Sequence, residues 1–130
     1  MGSGVKLDTF NHIGHVVRDR DATMKSWSSL LGMEWRRTAE SGALNLAWGS
    51  MGGTEVELLQ PTDDKSLWAA FLKKHGEGLH HICATVADVD AAVASLEAEG
   101  GTKMMGIPGT MAYVDMKGPG GVILELLKTR

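Results

Sequence analysis

Apolar residues recur along this chain in short alternating runs separated by glycines, and the runs come in the same order twice. Phe10-Asn11-His12-Ile13-Gly14-His15-Val16-Val17 matches Leu79-His80-His81-Ile82-Cys83-Ala84-Thr85-Val86, His12 and His81 standing 69 residues apart. An aspartate-bearing start (Asp19 and Asp21, then Asp88 and Asp90) follows each run, and an amphipathic stretch leads to Gly32 or to Gly100-Gly101. Gly52-Gly53-Thr54-Glu55-Val56-Glu57-Leu58-Leu59 then parallels Gly120-Gly121-Val122-Ile123-Leu124-Glu125-Leu126-Leu127, Glu57 and Glu125 being 68 apart. Three matches in one order at nearly one offset define a duplication, and the slip of one residue is what a single loop deletion leaves.

Each half predicts a βαβββ module. First strands at about 10–17 and 79–86 are rich in Val, Ile and Leu. Helices at about 21–31 and 88–99 begin at an aspartate able to cap free N–H groups and end at glycine. In the second, Val89, Ala92, Val93 and Leu96 make one apolar face. Three further strands complete each half, at about 34–38, 43–49 and 54–60, then about 102–105, 111–116 and 121–128. Between the halves Thr62 to His75 reads as a helix carrying Leu67, Trp68, Phe71 and Leu72 on one side, and Gly76-Glu77-Gly78 returns the chain to the repeat. The prediction is one α+β domain over residues 1–130, with module one at about 9–60, the linker helix at about 62–76 and module two at about 78–130.

Composition narrows the partners. With 130 residues there is room for one modest core, and 43% apolar with 22% charged residues describes an ordinary globular chain. The net charge of −3 arises from interspersed signs, which argues against nucleic acid or an anionic membrane as partner. No apolar stretch approaches the roughly 20 residues of a membrane-spanning helix. Met1 to Lys6 lack a hydrophobic signal core, so a cytoplasmic protein is expected; whether Met1–Gly4 is native is left open. A single cysteine, Cys83, excludes an internal disulfide and suits a reducing compartment.

The chemistry follows from strand alternation. His12, Gly14 and Val16 share one face of the first strand, and His81, Cys83 and Thr85 share its counterpart. Ile82, Ala84 and Val86 form the apolar face suited to packing on a helix, so both histidines point away from the helices. Glu57 and Glu125 interrupt apolar last strands, where an ionised carboxylate is costly unless a charge compensates it. Taken singly, a strand histidine or a last-strand glutamate usually meets solvent. Their recurrence together points to His12, Glu57, His81 and Glu125 as ligands of one divalent ion. Two imidazoles and two carboxylates suit Co²⁺, Ni²⁺, Zn²⁺, Mn²⁺ or Fe²⁺ and leave two positions open on an octahedral ion. His15 has no partner in the repeat and reads as structural, and His80 falls off the metal face. Cys83 reads as a small cavity-lining residue. Trp27, Trp35 and Trp68 read as core, while Trp48, on a middle strand, is a candidate lining residue.

This duplicated module with its His/Glu/His/Glu set resembles the vicinal oxygen chelate superfamily, which includes glyoxalases, bleomycin-resistance proteins and dioxygenases. Within it the chain is most similar to the methylmalonyl-CoA epimerases. The likeness is carried by Asn11-His12-Ile13-Gly14, by Gly52 through Pro61, by Phe71 through Ile82, and by Gly120 through Leu126. It implies a cup-shaped, eight-stranded mixed sheet with helices outside, and a homodimer. The activity it implies is metal-dependent proton transfer at C2 of methylmalonyl-CoA or a similar acyl-CoA thioester, through a metal-chelated enolate. By the same resemblance Glu40 and Glu125 are the acid/base pair; Glu55, on the same strand face as Glu57 by alternation, is an alternative to Glu40. The chain departs from the epimerase pattern at Val114-Asp115-Met116-Lys117-Gly118-Pro119, where a His-Pro-Lys-like turn is expected, and at Ser41, which stands in place of Gln. The superfamily also contains lactoylglutathione lyase-like isomerases, extradiol-type iron dioxygenases, which need only two His and one Glu, and non-catalytic resistance proteins, which usually lack the full ligand set.

Overall fold

The computed structural model describes residues 5–118 and 120–130; Met1–Gly4 lie outside the described residues. The elements run β1 (Thr9–Val16), α1 (Arg20–Leu31), β2 (Glu34–Ser41), β3 (Leu44–Met51), β4 (Thr54–Pro61), α2 (Leu67–His75), β5 (Gly78–Val86), α3 (Val89–Ala98), β6 (Thr102–Ile107), β7 (Met111–Asp115) and β8 (Ile123–Lys128). The repeated βαβββ order and the linking helix are those read from the pattern. Contacts gather in two compact units, one of His12–His80, the other of the described residues up to Asn11 with His81–Arg130.

In the first of these units the strands lie in the order β2-β3-β4-β1. The two hairpins are antiparallel, and β1 joins β4 in parallel, with Gly14 opposite Glu57. Parallel neighbours need a crossover, which α1 provides. Asp19 caps it by accepting from the Ala22 N–H, and Gly32 closes it in the left-handed region at φ 66°. Under α1 lie Val17, Met33, Ala47, Val56 and Leu58, with Met24, Trp27 and Trp35. On the other face Val16, Leu44 and Leu59 pack with Trp68, Phe71 and Leu72 of α2. That helix is shorter than the expected Thr62 to His75. Asp63 Oδ1 accepts from the Lys65 and Ser66 N–H groups, which makes a turn of the first residues, and Ser66 then caps the helix proper.

The second unit repeats the plan with β5-β8-β7-β6. Here β5 joins β8 in parallel with Cys83 opposite Glu125, and β8, β7 and β6 form antiparallel hairpins. The opening residues of the chain pair with β5: the Asp8 N–H donates to the Thr85 carbonyl, and the Thr9 N–H to the Thr85 hydroxyl. Asp88 caps α3 through the Ala91 N–H. The helix stops one residue before the expected glycine pair, at Ala98 with Glu99 as cap. Its core is Ala84, Val86, Val89, Ala92, Val93, Ala112, Val114, Leu124 and Leu126. The last strand starts at Ile123 because Gly120 and Gly121 are spent in a turn, the Gly121 N–H donating to the Gly118 carbonyl.

His15 lies on the helix face of β1, as the alternation requires, edge-on to Trp27 at 5.1 Å between centroids. Burial lowers its pKa below the usual histidine value, with the Glu77 carboxylate opposing. The folded protein therefore binds this proton less readily than the unfolded chain. The resulting destabilisation is absent above pH 6.5 and grows as pH falls through the unfolded pKa toward the folded one. His15→Leu is expected to lose less stability than the parent between pH 7.5 and pH 5 in urea titrations. Parallel losses in the two proteins would remove His15 as the cause.

Candidate metal centre

Each unit carries one buried histidine beside one carboxylate. In the His12–His80 unit, β1 and β4 bring His12 Nε2 to 3.5 Å from Glu57 Oε1, with 8% and 12% of the two side chains exposed. In the other, β5 and β8 bring His81 Nε2 to 3.1 Å from Glu125 Oε1, with 0% and 11% exposed. The two arrangements share a register. The histidine stands two residues before the one opposite the glutamate, Gly14 in one unit and Cys83 in the other. Alternation then sets histidine and glutamate on a common face.

The donor sets fit a divalent ion. Two donors each about 2.1 Å from one ion stand roughly 3.0 Å apart across an octahedral edge and roughly 3.4 Å across a tetrahedral one. Both observed separations fall close to these values, and neutral imidazole with carboxylate is a common combination for first-row metals.

An aromatic residue stands opposite each carboxylate, Trp48 against Glu57 and Tyr113 against Glu125. Trp48 Nε1 donates to Glu57 Oε2 at 3.0 Å. The Arg37 guanidinium lies 3.8 Å from the centroid of the Trp48 ring, a contact worth about 0.5–1 kcal/mol at an exposed site. The Tyr113 ring lies 4.9 Å from that of His81. Trp48 was legible as a lining residue; Arg37 and Tyr113 were not singled out by the sequence. Trp48 precedes Glu57 by nine residues and Tyr113 precedes Glu125 by twelve, so only hydrogen-bond register reveals their equivalence.

Glu40 is placed elsewhere. In β2, Ala39 pairs with Leu46, which pairs with Leu59, so Ala39 shares the face of Glu57 and Glu40 takes the opposite one. There it accepts from Arg20 Nη1 of α1 at 2.5 Å, its side chain 67% exposed. Arg20 is itself mostly buried and donates to the carbonyls of Ala39 and Leu46. Its pKa is raised by the bond to Glu40 first, with Asp21 adding and burial opposing. Glu55 does share the face of Glu57, two residues earlier, and is paired with Arg36.

With fold and site described, the class of protein is plain. Residues 11–113 match the Glyoxalase/Bleomycin resistance protein/Dioxygenase superfamily, and the chain belongs to it. Within that superfamily its relatives include the mitochondrial methylmalonyl-CoA epimerase of Homo sapiens, 30% identical over 135 residues that cover 96% of this chain and 76% of the relative. The ethylmalonyl-CoA/methylmalonyl-CoA epimerase of Cereibacter sphaeroides is 31% identical over 77% of this chain and 76% of its own. Among solved structures, a variant methylmalonyl-CoA epimerase of Streptomyces coelicolor in complex with 2-nitronate-propionyl-CoA superposes with a TM-score of 0.79. That match is at 28% identity and covers 95% of this chain and 99% of the other. The fold is the glyoxalase-like α+β fold of these epimerases.

Because Glu40 faces α1, Glu40→Gln is expected to bind metal and turn over near the parent's rate. Steady-state kinetics decide this, since loss of a general acid or base costs about 10²–10⁴-fold. A loss of that size would restore Glu40 to the acid/base pair, and parent-like turnover would move the search to Glu55.

Proposed function

We propose that this protein is a metal-dependent epimerase that inverts C2 of methylmalonyl-CoA or a similar acyl-CoA thioester. One observation carries the reading: a buried His–Glu pair recurs at one register in two modules of a chain whose relatives are methylmalonyl-CoA epimerases. His12, Glu57, His81 and Glu125 would together hold one divalent ion of the Co²⁺, Ni²⁺, Zn²⁺, Mn²⁺ or Fe²⁺ kind. When bound, the ion would supply Lewis-acid stabilisation of the charge that develops when C2 loses its proton.

The residues' own work is proton transfer and exclusion of water. C2 lies beside a thioester carbonyl, which takes up the charge left by its proton as an enolate, so a carboxylate can serve as base where that developing charge is stabilised. Inversion needs a group on either side of the carbon. Glu125 is the acid/base group we assign to one side, buried between Cys83 and Tyr113, which stand directly opposite it on the neighbouring strands. The other group comes from the face that bears Glu57 and Glu55. The 2-nitronate-propionyl-CoA held by the Streptomyces coelicolor relative supports an acyl-CoA substrate. A homodimer suits the exposed apolar Leu30 and Leu31 at the end of α1, and a cytoplasmic location suits the single free cysteine.

Incubation with methylmalonyl-CoA in deuterated water, with metal supplied, is expected to place deuterium at C2. Mass spectrometry showing none would overturn the epimerase reading. Glu125→Gln should keep metal and lose exchange by about 10²-fold or more, because an amide cannot accept the proton. Full exchange in that variant would leave Glu125 a ligand only. His81→Ala is expected to weaken metal binding strongly and to lose the thermal stabilisation that metal gives the parent. Parent-like affinity in a metal titration would remove His81 from the ligand set.

A further inference from the structure

A carboxylate that ligates a metal through one oxygen needs its second oxygen held, or it rotates between binding modes. Among the described residues Glu57 has such a holder within its own module. Trp48 Nε1 donates to Oε2 at 3.0 Å, while Oε1 lies 3.5 Å from His12 Nε2. Indole offers one N–H and no acceptor, so the contact has a single sense and direction. Strand pairing fixes the separation, since Trp48 and Glu57 are directly opposed in the β3–β4 ladder.

The indole is clamped in turn. Arg37, on β2 and directly opposite Trp48, lays its guanidinium over the ring at 3.8 Å. A β-bulge between Trp35 and Arg37 sets this up. The extra residue, Arg36, pairs with Glu55, and Arg37 emerges on the face of Glu57. Cation, indole and carboxylate thus form one row across three adjacent strands.

We infer that Trp48 is a positioning residue that holds Glu57 as a single-oxygen ligand, with Arg37 fixing the indole. This deepens the metal-centre reading and rests on it. The contact is the kind of outer partner whose loss typically weakens metal affinity by about 10–100-fold. The modules differ at this position: the residue opposite Glu125 is Tyr113, a phenol that can both donate and accept.

The test is Trp48→Phe, which keeps an aromatic surface for Arg37 and removes the N–H together with the five-membered ring that carries it. Co²⁺ affinity is measured on purified protein without substrate, by competition with a chelating dye, and the thermal midpoint of the metal-free protein is recorded beside it. The expected result is a loss of affinity of about tenfold or more at a parent-like metal-free midpoint. Arg37→Ala, a change at an exposed position, should weaken Co²⁺ in the same direction by a smaller factor. Parent-like affinity in Trp48→Phe overturns the positioning role and leaves the metal site standing. An equal loss of metal-free stability and affinity overturns it too, since Trp48 would then be acting through packing. Failure of the parent itself to bind Co²⁺ would overturn the metal site and this inference together.

Discussion

Parallel pairing of the first and last strands within each module is the constraint on which the rest depends. It opposes Gly14 to Glu57 and Cys83 to Glu125, and so sets His12 and His81 diagonally beside a carboxylate. Parallel strands cannot be joined by a tight turn, so the helix and hairpins between them follow from this pairing. The apolar residues flanking each glutamate, Val56 and Leu58 or Leu124 and Leu126, anchor the strand in a core. A carboxylate between such neighbours, on the opposite face, has little water to solvate it. An imidazole beside it is partial compensation, and a cation between them would be fuller compensation.

Much of this was legible because period-2 alternation and capping aspartates are local signals. Asp19 and Asp88 cap where the sequence placed them, and His15 packs on Trp27 as its face required. The linker helix was overdrawn because an Asx turn at Asp63 looks like helix start in composition and differs only in which N–H groups its side chain takes. The face that Glu40 occupies was hidden from the sequence for another reason. Resemblance aligns residues along the chain, whereas the face a residue occupies depends on pairing, and one step along a strand reverses it. Tyr113 and Arg37 escaped for a related reason: hairpins of unequal length hide equivalent register positions from any fixed offset.

The two modules are alike where they pair histidine with glutamate and unlike in what stands around that pair. One sets an indole against its carboxylate and an arginine against the indole; the other sets a phenol there, in ring contact with the histidine. A duplicated gene supplies symmetric histidine–glutamate pairs without effort, and a reaction that delivers a proton to one side of a carbon and removes it from the other benefits from groups that differ. Sequence drift in the strands opposite the glutamates supplies that difference while the histidines and glutamates stay in place.

The hairpin that joins β2 to β3 is closed by two residues, Gly42 at φ 57° and Ala43, with Ser41 directly opposite Leu44. That turn acts as a selector for which charge looks inward. With its present length Arg37 and Ala39 face Glu57, and Glu40 looks out at α1. A single inserted codon on the β2 side would move that strand one place along its neighbour and exchange the two sets, setting Glu40 where Ala39 now stands and Thr38 where Arg37 does. Surface turns tolerate such insertions well. A lineage built on this scaffold can therefore change the electrostatic character of the face that bears Glu57 in one mutational step, without touching His12 or Glu57.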